Sequence, residues 1–563
     1  MSPLESFEAN LSLAADKNKI CYISHSEKAA KIAGSLYCGG FYFKLSMMPN
    51  RSGDPLFQLI KSLQRGEKRI FKLYITRNSS NEDLKVIQLF DLIDKMTDYD
   101  EAGLFTKIPG LKKEQLSNRK SHLYKQILAS LRLVESNNSI EVQLHEQLDH
   151  AKILYNKGLY HQSLKILDRA KETARLYHQQ AILPQILLME KKIEALHITR
   201  SLQDRARQLS VESDRATDQL LVTNRLSNLS LELYGWYINH GHARNEADEL
   251  MLTRFFKSSL PANAPEQGDF YHRLYLYQSY CWYAFILQDF LMYYRYCQKW
   301  VNLFEEEPLM KEVETAHYIR GMHNLISAHF DLKNEEAFEN TLQAFDEFGE
   351  SAIVTKSENN TIQVFVYLYT ALINRHFMNG SFGDGLVLVP FINEKLKEYS
   401  LYLDRHRVLV FYYKIASLHF GNGDFDETID YLNKIINWKV DLRNDLQCYA
   451  RLLNLIAHYE LGNFNLLEYL VKSVYRFMAK MENLGPVEED IFRFLQKAFS
   501  VGAHHLKPEF ERLLERLKLY ENKRFATRAF AYLDIVSWLE SKINDVPVGE
   551  VIRRKAMKNK RRA

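Results

Sequence analysis

Four histidines recur, each followed by an aromatic and, four places on, by glycine or lysine. They are His329-Phe330 with Lys333, His376-Phe377 with Gly380, His419-Phe420 with Gly423, and His458-Tyr459 with Gly462. Repeated imidazoles are the groups a zinc site would use. Zinc ligands, however, must lie about 2.0–2.1 Å from one ion, and equivalent residues of successive helical units stand two helix spacings apart, at roughly 8–10 Å each. The four histidines therefore do not share a metal; filling the contact between paired helices is the role expected of them. A second candidate, His145-Glu146-Gln147-Leu148-Asp149-His150, approaches the HExxH metalloprotease signature. Its second histidine falls one place late, which at about 100° per residue turns it roughly 140° from the first. His240-Gly241-His242 and His504-His505 have no acidic or cysteine cluster beside them, and no P-loop, GxSxG or dinucleotide fingerprint is present. The residues thus point away from catalysis, with no cofactor and no metal expected.

The elements that position these histidines are helices. The motif closes successive helical stretches at spacings of about 47, 43 and 39 residues, and Phe382, Phe425 and Phe464 follow the glycine in three copies. Weaker copies extend upstream through Gln288 and Gly241 to Gly158. Periods of this length mean stacked supersecondary units in place of one globular core. Residues 140–545 have room for about ten helical pairs of ~40 residues, one of which, near 180–220, carries no marking glycine. The fold class expected is all-α: an α-α superhelix behind an N-terminal helical capping domain.

Composition supports helix: glycine and proline number only 22 and 12 in 563 residues. Five cysteines without CxxC spacing read as reduced thiols of a cytoplasmic protein. The net charge of +4 hides a basic tail over 546–563, where Arg553 to Arg562 carry seven basic residues and no acid. That leaves a nearly neutral body of 67 basic against 70 acidic residues. The tail is expected to be a solvated end, with RNA, DNA or an acidic partner as the alternative. No apolar run reaches the ~18 residues of a transmembrane helix, so no membrane insertion is expected. Glu5 and Glu8 argue against a signal peptide. Residues 1–47 are expected to be a poorly ordered extension or a mis-assigned start, since helical patterning begins only after Asp54-Pro55.

Residues 48–136 read as a separate helical domain. Asp54 and Pro55 signal a helix start, followed by helices over Glu67–Arg77 and Asn81–Met96 and a fourth capped by Ser117. The unit is basic, with 16 Lys and Arg against 11 Asp and Glu from Arg51 to Glu135. Contact with nucleic acid through Lys61, Arg65, Lys68, Arg69 and Lys72 is therefore an alternative to a solvated capping face. Ser136 to Ser139 read as the linker.

Two resemblances follow from these residues. Leu148 to Tyr177 resembles a tetratricopeptide unit, with Ala151 at the helix contact, Gly158 at the turn, Tyr160 after it, and Ser163, Leu167 and Ala170 along the second helix. Ala416, Gly423, Phe425, Gly462 and Phe464 take the same places later. The periods exceed 34 residues, so the repeats are TPR-like. Pro55 to Leu63, with Glu67-Lys68-Arg69 and Phe71-Lys72, also resembles the opening of a large, functionally uncharacterised bacterial family of TPR-like proteins. That resemblance implies the architecture and a bacterial cytoplasmic setting.

Phe270 to Trp300 contains thirteen aromatic residues, and Tyr275, Gln278, Trp282 and Phe285 share one helical face. In the TPR-like register the same face offers Arg320 and His323, then Tyr367 and Asn374, then Tyr413. In TPR-like solenoids this face lines the concave groove, where Asn and Arg hold peptide backbone or carboxylates and Tyr supplies contact area. The function expected is a non-enzymatic scaffold that binds a protein or peptide partner there. A nucleic-acid-linked regulator is the alternative.

Overall fold

The computed structural model describes residues 54–560 except 78–80, 109–111, 136–138, 197–203, 262–267, 439–442, 482, 499–505, 521–522, 524 and 526–533. The expectation for residues 1–47, most of the 136–139 linker and the pair His504-His505 lie outside the described residues. Those residues are all-α, with no strand among them. They divide into two compact units, within Met1–Glu135 and Ser136–Ala563.

In the first unit, Asp54 Oδ1 accepts from the backbone N–H groups of Leu56 and Phe57 at 3.0 and 3.1 Å and starts the Pro55–Ser62 helix. Gln64 and Glu67 form a capping box on Arg65–Thr76. Ile60, Phe71, Phe90, Ile93, Leu123 and Ile127 close the core. Two expectations are corrected. Ser117 caps nothing, because the helix already starts at Lys113 and runs to Glu135. A short Glu101–Lys107 helix, placed by the buried Leu104, was not anticipated. The basic face is also partly neutralised: Lys68 pairs with Asp94 and Lys72 with Asp91, both at 2.7 Å, and Lys61 Nζ donates to the Asp94 carbonyl at 2.6 Å.

In the second unit helices pack largely in chain order. The pairs are clearest as Ile140–Asn156 with Tyr160–Leu176, Phe270–Ile286 with Phe290–Glu306, Thr315–Asp331 with Glu335–Gly349, Arg405–Asn422 with Phe425–Ile436, and Asn444–Glu460 with Phe464–Lys480. Small residues let the partners approach. Ser163 Oγ reaches the Ala151 carbonyl at 2.7 Å and Thr428 Oγ1 the Ala416 carbonyl at 3.4 Å, the same twelve-residue offset in two units.

The recurring motif is a helix stop. Lys333, Gly423 and Gly462 hold φ of 55°, 91° and 71°. The next residue's N–H reaches back to the histidine carbonyl, from Asn334 to His329 at 3.0 Å, Asp424 to His419 at 2.9 Å and Asn463 to His458 at 3.1 Å. These are the long bonds of a Schellman motif, and they satisfy carbonyls the ending helix would leave bare. In the three copies with glycine, the aromatic beside the histidine then meets the aromatic after the glycine, with centroids 6.1 Å apart for Phe377 and Phe382, 5.5 Å for Phe420 and Phe425 and 6.0 Å for Tyr459 and Phe464.

Two regions depart from expectation. Near 180–220 there is no regular pair: Leu183–Leu196 is followed by one 36-residue helix, Arg205–His240, which packs on both Leu183–Leu196 and Phe270–Ile286. The described part of the basic tail is helical and docked by one side, with Arg553, Arg554 and Lys558 exposed on the other. Asp545 turns left-handed at φ 53° after Ile535–Asn544, and Val548–Lys560 is a helix packed on Glu358–Asn379 and Arg405–Asn422. The backbones of Gly549 and Gly380 approach so closely that a Cβ on Gly549 would lie 2.6 Å from the Gly380 carbonyl oxygen.

Candidate functional site

The motif histidines are consumed locally. His376 Nδ1 pairs with Ser381 Oγ at 2.8 Å, His419 Nδ1 with Asp424 Oδ2 at 3.4 Å, and His458 Nδ1 with Asn463 Nδ2 at 3.2 Å. Each bond ties the end of one helix to the residue that precedes the next. His329 instead lies buried with its ring 5.3 Å from that of Tyr294. His242 Nδ1 bonds the Phe285 carbonyl at 2.8 Å. Among the described residues no group of three or more His, Cys, Asp or Glu side chains could hold a metal ion. The Cys281 and Cys297 sulfurs lie 3.6 Å apart, both buried as free thiols.

Six of the seven residues expected on the inner face fall into three groups. In the first, Gln278 Nε2 donates to His317 Nδ1 at 3.0 Å, and the Tyr275 ring meets the His317 ring edge-on at 6.0 Å. Arg320 lies one turn beyond His317, with its guanidinium 5.0 Å from the Tyr234 ring centre and 5.2 Å from that of Trp282. Such stacking holds a guanidinium in place without neutralising it.

In the second group, the His323 ring stacks on Tyr367 at 4.1 Å with 15° between planes. Arg407 reaches the same tyrosine, with Nη2 3.4 Å from its hydroxyl. In the third, Lys414 Nζ donates to Asn374 Oδ1 at 2.5 Å and lies 5.4 Å from the Phe377 ring centre.

Electrostatics bind the groups together. Burial, and then the nearby charges of Arg320, Lys414 and Arg407, push the His323 imidazole down to about 3. His317 falls to about 4, through burial and then Arg320. Burial lowers Lys414 to about 8 against the pull of Asp331, whose own carboxyl burial raises to about 7. Close to neutral pH the histidines are uncharged, while the guanidiniums and most of Lys414 are positive.

Three of the seven positions need correction as contact residues. Tyr413 is core: 7% exposed, in the cluster with Leu409, Phe411 and Ile415. Gln278 and Asn374 are buried at 6% and 7% and spend their amides on His317 and Lys414, which they position. The face also contains His317, Arg407 and Lys414, which sequence reasoning missed. Arg407 and Lys414 stand 40 places after Tyr367 and Asn374, and that shared offset was the available signal.

Residues far apart in the chain also meet here. The Arg443 guanidinium lies 5.5 Å from the Tyr237 ring centre, and Nη1 donates to His406 Nε2 at 3.3 Å. A separate open cleft of about 850 Å³, lined by Arg175, Arg207, Glu212, Arg215 and Asp269 among others, shares no residue with the inner-face groups. No helix among the described residues is long and apolar enough to cross a membrane. No protein-family model matches the chain, and neither a curated protein nor a solved structure matches it.

Proposed function

We propose that residues 140–545 form a TPR-like α-solenoid that serves as a non-enzymatic scaffold and holds a peptide or protein segment along its inner face. The observation that carries this reading is the continuity of half-buried polar and aromatic side chains across four successive first helices. Tyr275, Arg320, His323, Tyr367, Arg407 and Lys414 each touch a neighbour from the next or preceding unit and keep part of their surface open. Rigid aromatics and stacked arginines are the residue types that carry binding energy in recognition surfaces. The non-enzymatic part rests on the histidines, whose ring nitrogens join helix ends locally.

Purified protein screened against an immobilised library of peptides about a dozen residues long tests the proposal. Peptides recovered should lose binding about tenfold or more on Tyr367→Ala, which removes the platform between His323 and Arg407. They should be indifferent to Tyr469→Ala, a tyrosine 69% exposed on another helix. The reading fails if selected peptides bind Tyr367→Ala as tightly as the wild type. It also fails if only oligonucleotides bind, with the steep salt dependence of phosphate contacts.

A further inference from the structure

We infer that Arg320, Arg407 and Lys414 form an anion site on this inner face and that its ligand is a phosphomonoester dianion carried on the bound peptide. The inference rests on the peptide-binding reading and names the chemistry of one subsite within it.

The three cations come from two first helices: Arg320 from Thr315–Asp331, and Arg407 and Lys414, about two turns apart, from Arg405–Asn422, with Glu358–Asn379 between them in the chain. His323, one turn from Arg320, stacks on Tyr367 at 4.1 Å; Arg407 Nη2 lies 3.4 Å from the hydroxyl of that tyrosine, and Lys414 holds Asn374 two turns along the same helix, so all three positive charges also act on the His323 ring. Arg320 and Lys414 have no ion pair among the described residues; their partners are the rings of Tyr234, Trp282 and Phe377 and the neutral amide of Asn374. Arg407 has only Asp404 at 3.3 Å, a pair in which the carboxylate is 55% exposed and the guanidinium 30%. Exposed pairs of this kind exchange readily for a better partner. The acid acting on Lys414 is Asp331, whose buried carboxyl is largely protonated below neutrality.

The cluster therefore sets three cations against the exposed carboxylate of Asp404 and a half-ionised Asp331, a net charge of about one to two at neutral pH that rises as Asp404 is displaced. A carboxylate would neutralise one; a phosphomonoester, with nearly two charges and three acceptor oxygens, matches the set. His323 contributes a further polar atom, for its Nδ1 is buried and makes no hydrogen bond. Guanidiniums lying 5.0 and 5.2 Å from the ring centres of Tyr234 and Trp282 and 5.6 Å from that of Tyr367 are already placed before the anion arrives.

The test uses the full chain and three probes: inorganic phosphate, a serine-containing peptide recovered from the library, and the same peptide phosphorylated on that serine. Calorimetric titration should show phosphate binding weakly and phosphorylation tightening the peptide at least tenfold. Both effects should disappear in Arg320→Gln with Lys414→Met, a pair that keeps most of the side-chain volume, and persist in Arg476→Gln on a remote helix. Circular dichroism and the melting temperature establish that the double variant is folded; if it is not, Arg407→Gln alone replaces it, with the same loss expected. Equal binding of the two peptides, or phosphate binding unchanged in the variants, overturns the inference while leaving the peptide reading intact. Phosphate binding that the variants abolish, together with no peptide binding at all, instead refutes the peptide reading and leaves only the anion site. An oligonucleotide that alone competes with phosphate overturns both.

Discussion

Replacing Gly549 by alanine sets two effects of opposite sign against each other. In a helix, alanine is favoured over glycine by about 0.5–1 kcal/mol, because glycine loses more backbone freedom on ordering. Gly549 lies in the first turn of Val548–Lys560, so local propensity alone predicts a small gain. Tertiary contact predicts a loss. The new Cβ would stand 2.6 Å from the Gly380 carbonyl oxygen and 3.4 Å from Phe382 Cδ2. The oxygen belongs to backbone, which cannot swing aside, so the helix must retreat by roughly 0.7 Å to restore van der Waals separation. Overpacking of this kind costs about 1–3 kcal/mol, and the retreat loosens the buried Val551 as well. The expected net change is a loss of about 0.5–2 kcal/mol for docking of the C-terminal helix. At one tenfold step per 1.4 kcal/mol, amide hydrogen exchange over 548–558 should accelerate about 2- to 30-fold. Gly235→Ala is the internal control, since no atom stands within 4 Å of its added Cβ inside the Arg205–His240 helix, five residues before its end. That variant should slow exchange around residue 235. If Gly549→Ala slows exchange at the C-terminus in the same way, the helix does not dock on the Gly380 turn and the reasoning is wrong.

Further outcomes follow from buried charge. Glu190 is fully buried between Lys171, at 2.7 Å, and Arg205. Glu190→Gln takes the acid from Arg205 and leaves Lys171 with the more distant Glu212 at 3.7 Å, and should cost about 3–5 kcal/mol in urea unfolding, whereas a loss below about 1 kcal/mol would show that water reaches the cluster. Stability should also fall with acid. His317, His323 and His406, at about 4, 3 and 4, lie below the ordinary histidine value of 6.5. As pH falls below 6.5 the unfolded chain takes up protons that the folded chain refuses, at a cost of at most about 1.4 kcal/mol per pH unit for each histidine until the folded values are reached. Asp331, held up to about 7, acts in the opposite sense and gives back part of that loss between pH 7 and its ordinary value. His323→Phe keeps the stack on Tyr367 and should flatten the decline of the urea midpoint between pH 7.5 and 5.5; an unchanged slope would mean that His323 is protonated in the fold.

Helical class and the position of the turns marked by glycine or Lys333 were legible in the chain because both depend on local chemistry. Lys333, Gly380, Gly423 and Gly462 mark points where the backbone must take positive φ, and the short-range bonds that close each helix need only the next few residues. Asp54 and Pro55 announced their helix for the same reason. The groove was harder. Tyr413 and Lys414 are sequence neighbours about 100° apart on one helix; the first is packed into the core and the second meets Asn374. A register taken from turns is uncertain by about one residue, and on a helix one residue is the difference between core and surface.

The sequence by itself determined that the described part of 140–545 is helical and that helices stop at Gly158, Lys333, Gly380, Gly423 and Gly462, since propensity and capping act within a few residues. Only the tertiary structure decided which side chains of different units meet. It placed Arg407 on Tyr367 and Lys414 on Asn374, 40 residues apart, and brought the basic C-terminal helix onto the turn at Gly380. Those contacts depend on helix length and crossing, quantities summed over whole elements, and no local pattern of residues encodes them.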